Sequence, residues 1–184
     1  MSAIKITTLE PSPAIVARLG EILVAVVAAG GSVSFMHPLD SAKAQAFWID
    51  SLTAAARGDR VVFGAWSEAE LVATVTLQLG LPPNQPHRAE IAKLMTHPAY
   101  RRRGIAAALM HAAETAAVRN GKTLLVLDMA EVDGAAGFYE KLGFTFAGII
   151  PDYALKPHGG LTGTKIYWKR LGDLAPGQTR LPSG

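Results

Sequence analysis

The chain has 184 residues, of which 49% are hydrophobic and 18% charged, and this balance excludes an intrinsically disordered protein. It contains no cysteine, which excludes a disulfide framework and a zinc–thiolate site. Lys and Arg outnumber Asp and Glu by 18 to 15, a surplus too small to indicate nucleic-acid binding on charge alone.

The first half of the chain predicts two helices flanked by strands. Ser12 and Pro13 mark a helix start, because a serine side chain can cap the first turn and proline suits its first position. Gly30 and Gly31 end that helix. The polar residues 67–70 separate two runs rich in Val and Thr, which predicts a hairpin. The predicted elements are a strand over 4–8, helices over 13–29 and 41–57, and strands over 60–66, 71–79 and 88–96.

The second half predicts strands and helices around a buried centre. Residues 124–129 are almost all apolar, as expected of a strand inside a sheet that is flanked by helices. Asp133 is placed to cap a short helix that runs to Leu142 and ends at Gly143. This order predicts one mixed α/β domain over residues 1–172. The other predicted segments are a helix over 104–120, strands over 144–150 and 164–171, a long connection over 151–163, and a flexible tail over 173–184.

The most informative segment is the turn Arg101-Arg102-Arg103-Gly104-Ile105-Ala106, between a predicted strand and a predicted helix. Backbone N–H groups at a helix start lack intrahelical partners and carry partial positive charge, and a glycine lets a ligand approach them closely. Three arginines add donors that suit a pyrophosphate. A solvated basic turn is the alternative, although cations at this end oppose the helix dipole.

Two segments resemble the motifs of one enzyme family. Arg101-x-x-Gly104-x-Ala106 resembles the coenzyme A pyrophosphate signature of the GNAT superfamily of acyl-CoA N-acyltransferases, and residues 135–144 are similar to its second motif. Residues 88–95, together with 151–153, 160–161 and 166–169, resemble the tabtoxin-resistance acetyltransferases in particular. Val132 departs from the family, in which many members have asparagine. The resemblance implies about seven mostly antiparallel strands, with a splayed parallel central pair and four helices on both faces.

The resemblance also implies an activity, an acetyl-CoA-dependent N-acetyltransferase that transfers acetyl directly to an amine in a ternary complex. The lack of cysteine agrees with direct attack, because no thiol can carry the acetyl group. The implied acceptor is a primary amine of a small amino-acid-like or antibiotic-like molecule, bound near 31–39 and 151–163. A protein amine, a non-catalytic acyl-CoA-binding module and a nucleic-acid-binding role for the arginines stay open as alternatives.

Two carboxylates and a tyrosine are the candidate catalytic residues. Glu90 interrupts an apolar strand and is the first candidate for the base that deprotonates the amine, with a simple ion pair to Arg88 as the competing interpretation. Asp128 lies at the carboxyl end of an apolar strand and is the alternative base or an ammonium anchor, unless it only serves a turn. Tyr139 matches the family tyrosine that protonates the CoA thiolate; a core aromatic is its alternative.

The predicted coenzyme A contacts come from the pyrophosphate turn, the end of the preceding strand and the second motif. His97, His111 and His158 are too scattered for a metal site, so no metal is expected. The predicted coenzyme contacts are Leu94, Met95, Thr96, Arg101, Arg102, Arg103, Gly104, Ile105, Ala106, Asp133 and Phe138.

The sequence lacks the patterns that are typical of membrane, secreted and nucleic-acid-binding proteins. The longest apolar run, 22–29, has eight residues and is too short to span a bilayer. No hydrophobic signal region is visible near residue 1, and no aromatic stacking platform accompanies the arginines. We expect a cytoplasmic protein that contacts neither membrane nor nucleic acid, with a homodimer left open.

Overall fold

The computed structural model describes residues 4–131 and 136–172, and seven strands of this part form one sheet. The elements in chain order are β1 (Ile4–Thr8), α1 (Pro13–Ala28), α2 (Ser41–Ala56), β2 (Arg60–Ser67), β3 (Glu70–Gln78), β4 (Arg88–Thr96), α3 (Ile105–Arg119), β5 (Leu124–Ala130), α4 (Ala136–Lys141), β6 (Thr145–Leu155) and β7 (Leu161–Arg170).

The sheet order is β1-β2-β3-β4-β5-β7-β6. β4 and β5 run parallel, and the other neighbouring strands run antiparallel. The predicted fold, a mixed sheet with one parallel central pair and four helices, is therefore confirmed.

Helices pack on both faces of the sheet and form two hydrophobic cores. On one face, α1 and α2 bury Leu19, Leu23 and Trp48 completely. On the other face, α3 buries Leu109 and Met110 completely. Each such side chain contributes about 1.5–3 kcal/mol by leaving water. Because both faces are covered, ligands are expected at the strand ends.

Local signals set the starts of α1 and α2. The Ser12 hydroxyl accepts a hydrogen bond from the N–H of Ile15 at 3.2 Å, and Pro13 is the first residue of α1, as predicted. The Asp40 carboxylate caps α2 by accepting from the N–H of Lys43 at 3.1 Å. Both caps satisfy backbone donors that the helix itself cannot pair.

The long connection predicted over 151–163 is wrong. β6 continues to Leu155 and β7 begins at Leu161, so residues 156–160 alone connect the two strands. Pro157, Gly159 and Gly160, which indicated the connection, do lie in this turn, whereas Pro151 lies inside β6. Proline is tolerated there because β6 is an edge strand and needs no second row of hydrogen bonds. Its register with β7 shifts between Ile150 and Ala154, which accommodates the irregular residues.

Some predictions fall outside the part of the chain that the structure describes. These are the tail over 173–184 and the helix cap and coenzyme contact at Asp133. Among the described residues, no helix is both long enough and apolar enough to cross a membrane.

Candidate functional site

The two parallel strands separate halfway along their length. Their pairing ends where Ile91 of β4 faces Leu127 of β5, although both strands continue. On its other side β4 carries a bulge, because Lys93 and Leu94 together oppose the single residue Val75 of β3. The bulge and the loss of pairing open a cleft between the carboxyl halves of β4 and β5.

A cavity of about 760 Å³ occupies this cleft. Its walls are the end of β4, the residues after Leu127 on β5, the start of α3, the loop after α1, and part of α4. The site thus collects segments that are far apart in sequence, at the strand ends where open α/β sheets bind ligands.

The start of α3 presents backbone donors to the cavity. Gly104 is its N-cap with φ 76°, and no side chain caps the helix there. A Cβ atom on Gly104 would meet nothing within 4 Å, so open space lies before the backbone. The first N–H groups of a helix lack intrahelical partners, and they attract anions. This turn has the geometry of an anion cradle.

The three arginines of the turn have different surroundings. Arg101 and Arg102 line the cavity. Arg103 is not among the lining residues; its Nη2 donates to the carbonyl of Ala99 at 3.3 Å, and its guanidinium lies 4.9 Å from the ring centroid of Tyr100. Two of the three predicted arginines therefore face the site, and the third stacks on a tyrosine.

The two candidate carboxylates occupy different places. Asp128 lines the cavity, and its Oδ2 accepts a hydrogen bond from Thr164 Oγ1 at 3.2 Å. Glu90 is not among the lining residues, and its Oε1 pairs with Arg88 Nη1 at 2.7 Å. Glu90 precedes the point where β4 and β5 separate, whereas Asp128 follows it. The structure brings Asp128 and the helix start together and leaves Glu90 outside.

Tyr139 lines the cavity from α4 and is 9% exposed. Its ring packs at centroid distances of 5.1 Å from Phe138, 6.1 Å from Phe144 and 5.8 Å from Tyr167. The tyrosine is thus both a core aromatic and a wall residue of the cavity. The other predicted coenzyme contacts that line the cavity are Leu94, Met95, Thr96, Gly104, Ile105, Ala106 and Phe138.

Sequence reasoning missed Lys93, which lines the cavity beside the bulge. Its Nζ donates to Ser34 Oγ at 3.0 Å and lies 5.7 Å from the ring centroid of Phe47. Burial lowers the pKa of Lys93, an effect that nearby Asp128 opposes and Arg60 reinforces. A lysine inside an apolar strand was the available signal, but the bulge that turns it into the cleft leaves no mark in the sequence.

No group of three or more His, Cys, Asp or Glu side chains suited to a metal ion occurs within residues 4–131 and 136–172.

The fold and the cleft define a class of protein. The model of the acetyltransferase (GNAT) family matches residues 32–144, more than half of the chain. The chain belongs to this family, so it is an acetyltransferase by family, and acetyl-CoA is the expected acetyl donor.

Solved structures agree on the fold. An N-acetyltransferase from Staphylococcus aureus Mu50 superposes with a TM-score of 0.79 at 17% identity, covering 93% of this chain and 100% of that one. The yncA acetyltransferase of Salmonella typhimurium, solved with its cofactor acetyl-CoA, gives 0.72 at 18% identity, covering 93% and 97%. A ribosomal-protein-alanine N-acetyltransferase from Brucella melitensis gives 0.75 at 17% identity, covering 90% and 99%.

Proposed function

We propose that this protein is an N-acetyltransferase that moves the acetyl group of acetyl-CoA directly to a primary amine of a small, amino-acid-like or antibiotic-like molecule. One observation carries the proposal: a single cleft holds the uncapped start of α3 at one place and the Asp128 carboxylate at another. The first suits a diphosphate and the second suits an amine. The narrower resemblance to tabtoxin-resistance enzymes belongs to this proposal and rests on residues 88–95, 151–153, 160–161 and 166–169.

The donor site is proposed from the chain's own groups. The N–H groups around Gly104, with Arg101 and Arg102, would hold the diphosphate of coenzyme A. The stretch of β4 from Leu94 to Thr96 has no pairing with β5, which leaves its backbone groups on that side for the pantetheine arm. The residues present therefore fit the donor that the family implies.

The reaction needs a base, an oxyanion site and an acid. An alkyl ammonium, with a pKa near ~10.4, must lose a proton before its nitrogen can attack, and we assign Asp128 to accept it. The nitrogen then bonds to the thioester carbon, the backbone near Leu94 and Met95 stabilises the oxyanion, and the C–S bond breaks. Tyr139 donates a proton to the thiolate. Asp128 passes the ammonium proton to solvent, and the second proton of the nitrogen restores the Tyr139 hydroxyl as the amide forms. Of the two protons that the amine loses, one is thus balanced by the thiol and one by solvent.

Two isosteric variants test whether Asp128 or Glu90 is the base. Asp128→Asn is expected to lower kcat about 100-fold, within the range for general base catalysis, and to leave the Kd for CoA unchanged. Glu90→Gln is expected to change kcat by less than about 3-fold, because Glu90 is paired with Arg88 outside the cavity. Thiol release on a panel of amines gives the rates, and calorimetry gives the Kd. The opposite ranking would return the role to Glu90.

The same assay distinguishes the proposed function from its alternatives. CoA binding without turnover of any amine would identify a non-catalytic acyl-CoA-binding module. A protein N-acetyltransferase has support from the ribosomal-protein-alanine enzyme that shares this fold. Peptides with a free N-terminal alanine therefore belong in the panel, and a strong preference for them over small amines would overturn the proposed substrate class.

A further inference from the structure

Lys93 is a cation that the proposed chemistry does not use. It is half-buried in the wall of the cleft, and Ser34 Oγ is its hydrogen-bond acceptor at 3.0 Å. Among the described residues, no carboxylate lies within the 4.0 Å of an ion pair from its Nζ. An ammonium has three N–H donors, so this one keeps donors for a further partner. Partial removal of a charge from water costs free energy, and an anionic ligand at Lys93 would offset that cost.

The backbone around Lys93 is held in an unfavourable conformation. Five non-glycine residues of the described chain have a positive φ, and three of them line this cavity. These are Ser34 at 72°, Lys93 at 52° and Arg102 at 61°. Such residues persist where the surrounding fold enforces them, and they gather at functional sites. The hydrogen bond between Ser34 and Lys93 joins two of the three.

The charges around the cleft complement a molecule with both signs. Asp128 and Lys93 follow the last paired residues of β5 and β4, so both side chains lie just beyond the separation of the strands. Their charges interact, yet they form no ion pair at 4.0 Å or less. A gap between an anion and a cation in one cavity suits a ligand that carries an amine and a carboxylate.

We propose that the acceptor carries a carboxylate close to its reacting amine and that Lys93 binds this carboxylate. The acceptor class is then a free amino acid or a molecule with an amino-acid end, its nitrogen at Asp128 and its carboxylate at Lys93. This inference rests on the proposed acetyl transfer and narrows its substrate class. Lys93 is a specificity residue that touches the substrate away from the reacting atoms.

The test compares matched pairs of acceptors. Each pair is a free L-amino acid and its carboxamide, which has the same amine and no negative charge. The wild-type protein is expected to acetylate the acids with a higher kcat/KM. Lys93→Met removes the charge at similar length and is expected to lower the kcat/KM of the acids by about 10- to 100-fold, and that of the amides by less than about 3-fold.

Three further variants separate charge recognition from a structural role. Lys93→Arg keeps the charge and is expected to retain part of the preference for acids. Ser34→Ala breaks the bond to the loop but keeps the ammonium, so the ratio of acid to amide should stay near the wild-type value. Lys5→Met, at an exposed position of β1, is the matched control and should change nothing.

The possible results distinguish failure of this inference from failure of the proposed function. Equal turnover of acids and amides by the wild-type protein would overturn this inference and leave the proposed acetyl transfer intact. An equal loss for both members of each pair in Lys93→Met would show that Lys93 only supports the fold of the loop. Failure to acetylate any amine, although CoA binds, would reject the proposed function and this inference with it.

Discussion

The protonation of Lys93 predicts how the preference for acids over amides depends on pH. Burial holds the pKa of its ammonium below the ordinary lysine value of 10.5, with Asp128 acting against this shift and Arg60 with it. The side chain is charged below its lowered pKa and neutral above it. The preference for acids over amides should therefore decline as the pH rises. Because the pKa of Lys93 is lowered, the decline should occur at a lower pH than it would for an ordinary lysine. Measuring that ratio in the wild-type protein and in Lys93→Met from neutral pH to 10.5 checks this. The two members of a pair differ in the pKa of their own amine, so the expected decline is the one that remains after the wild-type ratio is divided by the Lys93→Met ratio.

Tyr139 is expected to act through its hydroxyl group. Tyr139→Phe keeps the ring among Phe138, Phe144 and Tyr167, so the fold and the Kd for CoA should change little. Without the hydroxyl, the thiolate must take its proton from water, and kcat should fall about 100-fold. Tyr167→Phe is the control, because it removes a hydroxyl from the neighbouring ring, which does not line the cavity. A normal kcat in Tyr139→Phe would remove the tyrosine from the mechanism.

At the scale of single elements, α3 offers a matched pair of glycines. Gly104 before the helix has φ 76°, Gly121 after it has φ 69°, and a Cβ atom would meet nothing within 4 Å at either. Alanine at either position should therefore lower the free energy of unfolding by a similar ~1–2 kcal/mol through backbone strain. Gly104→Ala alone should also weaken CoA binding, because its methyl group would lie where the diphosphate is proposed to approach. Calorimetry measures the Kd and urea unfolding measures the stability; equal affinities would contradict the cradle.

Lys169 of β7 connects three elements on the α3 face. Its Nζ donates to Glu114 Oε1 of α3 at 2.7 Å and to the carbonyl of Leu142, just after α4, at 2.6 Å. The Glu114 side chain is 15% exposed. Lys169→Met leaves that carboxylate half-buried and unpaired, which should lower the free energy of unfolding by about 2 kcal/mol.

Two other variants test this interpretation of Lys169 by urea unfolding. Adding Glu114→Leu to Lys169→Met removes the stranded charge and should recover most of the stability. Arg57→Ala breaks an ion pair whose side chains are 62% and 46% exposed, and it should cost less than about 1 kcal/mol. If Lys169→Met and Arg57→Ala lowered the free energy of unfolding by similar amounts, burial would not strengthen the ion pair of Lys169.

At the scale of the whole molecule, two distant loops meet beside the cleft. The N–H of His37 donates to the carbonyl of Pro157 at 2.8 Å, and the rings of His37 and His158 lie 4.6 Å apart. His158 Nε2 also lies 3.1 Å from the carbonyl of Ala28, at the end of α1. The contact joins the β6–β7 turn to the loop that carries Ser34, and it is expected to hold that loop in place.

His158→Ala should loosen this contact without touching the start of α3. The KM for the acceptor is expected to rise about 3- to 10-fold, roughly the loss of one hydrogen bond, while the Kd for CoA stays the same. His111→Ala, on the exposed side of α3, is the control. A change in CoA affinity alone would contradict the assignment of this loop to the acceptor side.

Several features could be predicted because they depend on residues that are neighbours in sequence. The start of α1 follows from Ser12 and Pro13, and the turn before α3 follows from the arginines and Gly104. The long apolar run of β5 predicts a central strand. Pro151 misled the prediction because local chemistry does not say whether a strand is at an edge or in the middle of a sheet.

By itself, the amino-acid sequence determined the order of the elements, the family motifs and the candidates Glu90, Asp128 and Tyr139. The tertiary structure alone decided which of those residues share a cavity. The proposed choice of Asp128 over Glu90 depends on where β4 and β5 stop pairing, and the proposed role of Lys93 depends on a bulge opposite Val75. Both are properties of strand register, which arises from contacts between segments far apart in the chain and is invisible in local sequence.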